Sequence, residues 1–199
     1  MAARTNKKER TRRAIVDAAA RLLDGGSANP TIDEVADEAL VSRATVYRYF
    51  ESTVDLLWQV YSDRDVPDAE NSMAMAGDDA TERVLVAEAN VNDYLFGDEA
   101  GTRAFERVML ERKVHGRSTS EDRPGRRFLQ IDAALAPLEG RLDADDLELV
   151  RHALSLAIGS QAMVALLDTG RLDADRARDV TRFACRAIVD HAERLAARS

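Results

Sequence analysis

Three aromatic side chains and three further hydrogen-bonding side chains lie between residues 43 and 50, where the sequence is RATVYRYF. In a helix, Val46 and Phe50 are four residues apart and therefore face a core together. The rest of the circumference then carries two arginines, a threonine and two tyrosines, which is an unusual surface for a helix that binds nothing. The chemistry of this stretch is therefore binding, through Arg43, Thr45, Tyr47, Arg48 and Tyr49.

Two cap signals predict the elements that position these side chains. Thr31 and Glu34 have the spacing of a capping box, in which the hydroxyl accepts a bond from an early backbone N–H and the glutamate reaches back. A helix is therefore expected to begin at Ile32. Ser42 offers a second N-cap, for a helix over residues 43–49. The stretch TIDEVADEALVSRATVYRYF thus predicts two short helices joined by a turn.

This helix-turn-helix resembles the DNA-binding domain of the TetR family of transcriptional regulators. The resemblance rests on the ending TVYRYF at residues 45–50, a basic amphipathic helix before the motif and an aromatic-rich helix after it, and it covers about residues 8–66. Two residues depart from the family pattern. Leu40 stands in the turn where the family usually carries glycine, and Thr53 stands where members often carry a lysine that reaches a phosphate.

The resemblance implies a role for each polar residue of the motif. Arg43, Thr45 and Arg48 are expected to face base edges or adjacent phosphates in the major groove, because arginine can fork onto guanine and threonine can touch a thymine methyl. The expected partner is a double-stranded DNA operator of near-palindromic sequence, with half-sites about one helical turn or a small multiple apart. Phosphate contacts are expected from Thr31, Ser42, Tyr47 and Tyr49.

The charge distribution suits a protein that meets phosphates at one end. The 199 residues have a formal charge of −8, yet residues 1–60 carry nine lysines and arginines against nine aspartates and glutamates, so the whole excess lies in residues 61–199. Within residues 1–13 there are six basic side chains and one acid. Such asymmetry lets one end approach DNA while the acidic body is held away. The alternative is a solvated basic tail beside an ordinary acidic protein.

Helical periodicity predicts an all-α fold. An arm at residues 1–6 precedes a helix over about residues 7–23, and every long apolar pattern downstream repeats every three to four residues. We expect an N-terminal three-helix helix-turn-helix domain at residues 1–66, followed by a larger helical bundle for ligand binding and dimerisation at residues 67–199. Helices are also predicted over about 51–65, 80–96, 99–114, from Pro124 onward, 144–168 and 174–197, with a loop at 68–79 and an exposed segment at 117–122.

The last two helices resemble the dimerisation pair of the family. The sequence Arg-Leu-Asp-Ala-Asp occurs at residues 141–145 and again at 171–175, and Asp143 and Asp173 are predicted to cap the helices that follow. Two such helices are expected to meet those of a second copy as a four-helix bundle, which makes the chain a homodimer. The alternative is that they only close the core of one chain.

A pocket for a small-molecule effector is a further expectation. Aromatic and apolar side chains with a few polar groups can line such a cavity, although an aromatic stripe at helical spacing is more often part of a plain core. The residues predicted to contact the ligand are Trp58, Tyr61, Tyr94, Phe105, Met109, Phe128, His152 and Gln161.

Motifs for catalysis, metal binding and cofactor binding are not found in the sequence. The three histidines are far apart, and no G-x-S-x-G, G-x-G-x-x-G or G-x-x-x-x-G-K occurs. We therefore predict no enzyme activity, no metal and no cofactor. Cys185 is the only cysteine, so an internal disulfide is excluded and a cytoplasmic location is the default. No secretory signal is apparent, and no apolar run approaches the length of about 18 residues that a membrane span needs.

Together these features predict a sequence-specific, ligand-responsive homodimeric repressor. A ligand that prefers a state with wrongly spaced recognition helices would lower operator affinity by a population shift. The rival expectation is a helical binding or scaffold protein whose helix-turn-helix no longer binds DNA.

Overall fold

Helices form all the regular secondary structure in the computed structural model, which describes residues 2–27, 29–63, 68–74, 76–116 and 126–198. The predicted all-α fold is therefore confirmed. The α-helices are α1 (Ala2–Asp24), α2 (Ile32–Glu38), α3 (Arg43–Tyr49), α4 (Thr53–Asp63), α5 (Ala69–Met73), α6 (Ala80–Gly97), α7 (Glu99–Val114), α8 (Arg126–Leu135), α9 (Ala144–Ala157), α10 (Ser160–Val164) and α11 (Ala174–Ala196). A 3₁₀ turn at Ala136–Leu138 follows α8, and a π-helical turn at Ala165–Thr169 follows α10.

Two stretches predicted to be irregular are helical. The expected arm at residues 1–6 is wrong, because α1 already begins at Ala2 and no glycine or proline interrupts the sequence up to Asp24. The expected loop at residues 68–79 contains the short helix α5, whose first turn is capped by the Asp68 side chain. The expected exposed segment at 117–122 lies outside the described residues.

The chain divides into two compact units. The first consists of Met1–Asp65 and Arg103–Arg123, and the second of Val66–Thr102 and Pro124–Ser199. The division falls within α7, so packing assigns most of that helix to the first unit. The boundary drawn from the sequence between residues 66 and 67 stays a prediction.

Helices α1 to α4 of the first unit enclose a core of aliphatic side chains. Ile15 of α1, Val35 of α2, Val46 of α3 and Leu56 of α4 are all completely buried. Each lies on the apolar side of its amphipathic helix, so burial of these faces fixes α2 and α3 on the longer helices.

Within the first unit, α4 also packs against α7. The rings of Tyr61 and Phe105 meet edge to face, with their centroids 5.4 Å apart. Arg112 Nη1 donates to Asp55 Oδ1 at 2.7 Å, and the guanidinium carbon lies 5.1 Å from the centroid of the Trp58 ring. The Arg112 side chain is almost buried, so its bond to Asp55 is shielded from water and loss of Arg112 should destabilise the packing of α4 against α7.

The second unit has its own core, in which α6 packs against α8 and α11, and α11 packs against α9. Its largest buried aliphatic side chains are Ile131, Leu138, Leu154 and Ile158. Asp143 caps α9 and Asp173 caps α11, each accepting a bond from a backbone N–H three residues ahead. Both predicted caps are therefore confirmed.

The single helix predicted over residues 144–168 is wrong, because this segment forms two helices, α9 and α10, that are inclined at 48° to each other. Gly159 breaks the helix with φ of +132°, and its N–H donates to Asn92 Oδ1 at 2.9 Å. The break leaves two backbone carbonyl oxygens of α9 without a helical partner. The Ala157 oxygen accepts a bond from Asn92 Nδ2, and the Ser155 oxygen accepts one from Arg127 Nη1, both at 3.0 Å. The break is thus stabilised by residues of α6 and α8, which no pattern within the segment itself could indicate.

A buried carboxylate lies between α6 and α11. Glu88 accepts bonds from Asn92 Nδ2 at 2.9 Å and from Thr181 Oγ1 at 2.7 Å, and its second oxygen lies 3.4 Å from Arg182 Nε. Cys185, one turn further along α11, is completely buried. Burial, and next the negative charge of Glu88, raises the pKa of the Cys185 thiol to about 12. The thiol is therefore protonated at neutral pH.

The described residues contain no single helix that could span a membrane and no cluster of side chains that could hold a metal ion. No one helix there is both long and apolar enough to cross a bilayer, whereas α9 and the α10 segment through Thr169 reach that length and composition only as a bent pair. No group of three or more histidine, cysteine, aspartate or glutamate side chains in the described ranges could hold a metal ion.

Candidate nucleic-acid interface

Helix α3 begins at a serine cap and is held by apolar anchors. Ser42 Oγ accepts a bond from the Thr45 N–H at 3.1 Å and lies 2.8 Å from Thr45 Oγ1, so the predicted cap is present. Val46 is completely buried and Phe50 almost so. Because these two side chains fix one side of α3 on the core, the opposite side faces solvent.

The polar residues predicted on α3 lie on or beside that exposed side. Arg43, Tyr47 and Arg48 are exposed, whereas Thr45 and Tyr49 are half-buried. The Tyr49 ring also packs against the core of α1 to α4, so it supports the helix as well as bordering its surface. Two cations and a phenol are therefore displayed together on a short, well-anchored helix.

Helix α2 begins with the capping box that the sequence predicts. The Thr31 hydroxyl accepts a bond from the Glu34 N–H at 3.2 Å, and the Thr31 N–H donates to Glu34 Oε2 at 2.7 Å. The bond from the Thr31 backbone, and next that from its hydroxyl, lowers the pKa of the Glu34 carboxyl. Thr31 therefore has a structural role, and its predicted phosphate contact stays a prediction.

The turn between α2 and α3 forms without glycine. Leu40 adopts the left-handed conformation, with φ of +54°. Its N–H donates to the Asp37 carbonyl at 3.1 Å, and the Val41 N–H donates to the Ala36 carbonyl at 2.9 Å. This pair of bonds is the Schellman motif, which usually places glycine at the left-handed position. The two helices thus keep the helix-turn-helix connection although Leu40 carries a Cβ.

Arg43 is held by one residue from each helix of the motif. Its Nη1 donates to Asp33 Oδ2 at 3.2 Å, its Nη2 donates to the Tyr47 hydroxyl at 3.4 Å, and its guanidinium carbon lies 5.6 Å from the centroid of the Tyr47 ring. The hydrogen bond to Tyr47, and next the charge of Asp33, raises the pKa of Arg43. Sequence reasoning missed Asp33, because helical spacing reveals partners three or four residues apart and not those on two different helices.

The C-terminal end of α3 borders an open cleft of about 450 Å³. The guanidinium carbon of Arg48 lies 5.3 Å from the centroid of the Tyr49 ring. Arg12 of α1 turns inward at this point, where it lies over the Phe50 ring and donates to Gln59 Oε1 at 2.5 Å. Arg12 therefore ties α1 to α4. The cleft is lined by Arg12, Tyr49, Phe50, Glu51, Asp55, Trp58 and Gln59.

Further positive charge lies on the first turns of α1. Lys7, Lys8, Arg10 and Arg13 are exposed, and Arg13 Nε lies 3.3 Å from Asp17 Oδ1 in a surface ion pair. Exposed lysines and arginines of this kind attract phosphates without distinguishing base sequence.

Half of the residues predicted to contact an effector lie in the first unit. Trp58, Tyr61 and Phe105 belong to one hydrophobic cluster there, and Met109 is buried. The three aromatic side chains take part in packing between α4 and α7. Their contact with a ligand stays a prediction.

The other four predicted effector residues lie in the second unit. Tyr94 is exposed, and the Phe128 ring meets the His152 ring edge to face at 5.6 Å. Gln161 Oε1 accepts a bond from Arg127 Nη2 at 2.6 Å, beside the break between α9 and α10. Their contact with a ligand stays a prediction as well.

Comparison with known proteins finds a family that is similar to the helix-turn-helix segment of the chain. Residues 15–60 match the family described as bacterial regulatory proteins, tetR family. The matched segment holds the second half of α1, all of α2 and α3, and most of α4, and so includes the whole exposed side of α3. No curated protein and no solved structure matches the chain. The family match and the helix-turn-helix geometry of this segment together support a DNA-binding transcriptional regulator.

Proposed function

We propose that the chain is a homodimeric repressor that binds a near-palindromic operator and responds to a small-molecule effector. The exposed side of α3 supports this role, because Arg43, Tyr47 and Arg48 are the donors that suit base edges and phosphates in a major groove. A helix of seven residues contacts only a few base pairs. Specific binding therefore calls for two copies on two half-sites.

The proposal of a dimer rests on exposed apolar side chains of α9 and α11. Leu149 and Leu156 lie seven residues apart on one side of α9 and are 66% and 78% exposed, and Phe183 of α11 is 75% exposed. Large apolar side chains gathered on two packed helices mark an interaction surface. A second copy is the occupant that fits, since the same two helices from each chain would form a closed four-helix bundle.

Substitution on α9 tests the dimer. Leu149→Glu places a charge in the proposed interface twice, once from each copy, and is expected to give a monomer by light scattering. Leu110→Glu is the matched control, because Leu110 is 65% exposed but belongs to α7 in the first unit. A dimer that persists in Leu149→Glu and is lost in Leu110→Glu would place the interface elsewhere.

DNA selection tests the operator. Duplexes bound from a random pool are sequenced at two salt concentrations. A near-palindrome is expected, with an affinity that falls steeply as salt rises because lysine and arginine contacts release counterions. Weak enrichment without a shared sequence would leave only non-specific binding. The chain is proposed to act in the cytoplasm, where such DNA lies, and as a regulator rather than as an enzyme.

An effector is proposed to act by a population shift between two states of the dimer. Trp58 is the only tryptophan, so its fluorescence reports directly on the surroundings of α4. A panel of small aromatic and apolar compounds is screened for changes in Trp58 emission and then in operator affinity. A compound that weakens operator binding is an inducer, and one that strengthens it is a corepressor. Compounds that change the emission but never the operator affinity would contradict the regulatory role.

A further inference from the structure

Three of the four acidic side chains of α2 have partners, and each partner is different. Glu34 closes the capping box with Thr31, and Glu38 accepts a bond from Arg21 Nε of α1 at 2.7 Å. Asp33 alone among them pairs with α3, through the 3.2 Å bond from Arg43. Within the described residues, Asp37 has no side-chain partner. The negative charge of Asp33 thus lies beside the side of α3 that is proposed to enter the major groove.

The pair of Asp33 and Arg43 contributes little to folding. Both side chains are mostly exposed, and exposed ion pairs add little to the free energy of unfolding because water and salt screen them. Its consequence is instead geometric. Asp33 holds one terminal nitrogen of the guanidinium and Tyr47 holds the other, while the remaining N–H donors are left for another partner.

We infer that Asp33 is a positioning residue for operator recognition, which orients Arg43 toward the edge of a guanine. The inference rests on the proposed binding of a specific operator. Arginine recognises guanine by two parallel bonds to O6 and N7, so its benefit depends on the direction of the guanidinium plane. A side chain that is already held loses less freedom on binding, and this raises the affinity for the base that fits.

Asp33 also disfavours contacts between the Arg43 guanidinium and DNA phosphates. A carboxylate repels nearby phosphates, so it weakens binding to every sequence and makes a phosphate a poorer alternative for the guanidinium. Orientation and repulsion therefore predict opposite effects on two measurable quantities. Removal of Asp33 should raise the affinity for DNA in general while lowering the preference for one base pair in each half-site.

The test compares Asp33→Ala with Asp37→Ala. Both variants remove one negative charge from α2, but only Asp33 touches Arg43. Affinities are measured for the selected operator, for the operator with the guanine pair replaced in both half-sites, and for an unrelated duplex. The wild-type protein is expected to prefer the guanine pair by about 5- to 150-fold per half-site. Asp33→Ala should lower this preference by about 2- to 12-fold, which corresponds to ordering one long side chain. Asp37→Ala should leave it unchanged.

Two more variants separate positioning from charge. Asp33→Asn keeps an acceptor within reach of Arg43 and should retain most of the preference. Arg43→Ala should abolish the preference at the same base pair, and Asp33→Ala combined with Arg43→Ala should then add nothing to that loss. Circular dichroism confirms that each variant is folded.

The outcomes distinguish the inference from the proposed function. A wild-type protein that selects no sequence contradicts the proposed operator and with it the inference. A selected operator whose preference is equally altered by Asp33→Ala and Asp37→Ala overturns only the inference, and so does a preference at that base pair which survives in Arg43→Ala.

Discussion

Replacement of Leu40 by glycine is expected to stabilise the first unit. Leu40 has φ of +54°, and a residue with a Cβ pays about 1–2 kcal/mol in the left-handed region. Glycine relieves this strain but gives the unfolded chain more freedom, which offsets about 0.4–1 kcal/mol. The net gain is therefore about 1 kcal/mol. Little burial is lost, because Leu40 is 92% exposed.

The gain should appear in thermal unfolding and in local hydrogen exchange. A change of about 1 kcal/mol corresponds to a rise of about 2–4 °C in Tm for a chain of this length. Because two compact units need not unfold together, exchange of the Leu40 and Val41 amides is the sharper measurement. Both amides bond to carbonyls of α2 and should exchange more slowly in Leu40→Gly.

Leu40→Ala is the control for this prediction. Alanine removes the exposed side chain but keeps the Cβ, so it should leave the stability within about 0.5 kcal/mol of the wild-type value. Asparagine tolerates the left-handed region and should give an intermediate gain. Equal stabilities for the glycine and alanine variants would refute the reasoning, since strain at the Cβ would then not be the cause.

Three other perturbations have expected outcomes. Gly159→Ala should destabilise the second unit by about 1–3 kcal/mol, measured by urea unfolding, because φ of +132° excludes a Cβ that would also lie 2.7 Å from Arg127 Nη1; unchanged stability would contradict the strained break. Cys185 should resist alkylation at pH 8 until urea unfolds the chain, and its buried thiol should favour folding below its ordinary pKa of 9.0, with that contribution lost as the pH rises toward 12; rapid alkylation of the native protein would show that it is accessible. The lowered pKa of Glu34 should stabilise the fold above its ordinary value of 4.5, and this contribution should be lost as the pH falls below 4.5 and through the lowered pKa of the folded state. Thr31→Ala removes the cap and should lower the free energy of unfolding by about 1 kcal/mol at pH 7 and by less at pH 3. An equal loss at both pH values would show that the contribution of the cap does not depend on the charge of Glu34.

Local signals were sufficient where neighbours in sequence are also neighbours in space. The capping box at Thr31, the serine cap at Ser42 and the caps at Asp143 and Asp173 were all predicted and are confirmed. Each cap joins groups within three residues of one another, so its geometry follows from backbone conformation and residue type alone.

Sequence patterns failed where a distant residue supplies the missing bond. The break at Gly159 interrupts a good amphipathic pattern, and it is tolerated because Asn92 and Arg127 bond to the groups that the break frees. The inward turn of Arg12 is a similar case, since Gln59 and Phe50 decide it. Periodicity along one helix contains no information about donors and acceptors on another.

Sequence by itself determined the helix-turn-helix, most of the longer helices and the four caps named above, because these depend on local hydrogen bonds and on a short motif within residues 15–60. Tertiary structure alone decided that most of α7 packs with the first unit, that Asp33 holds Arg43, and that Leu40 occupies a left-handed turn. Each of these depends on which side chains fill the same space after folding. Segments far apart or on different helices meet only then, and the free energy of their contacts belongs to the packed unit rather than to either segment.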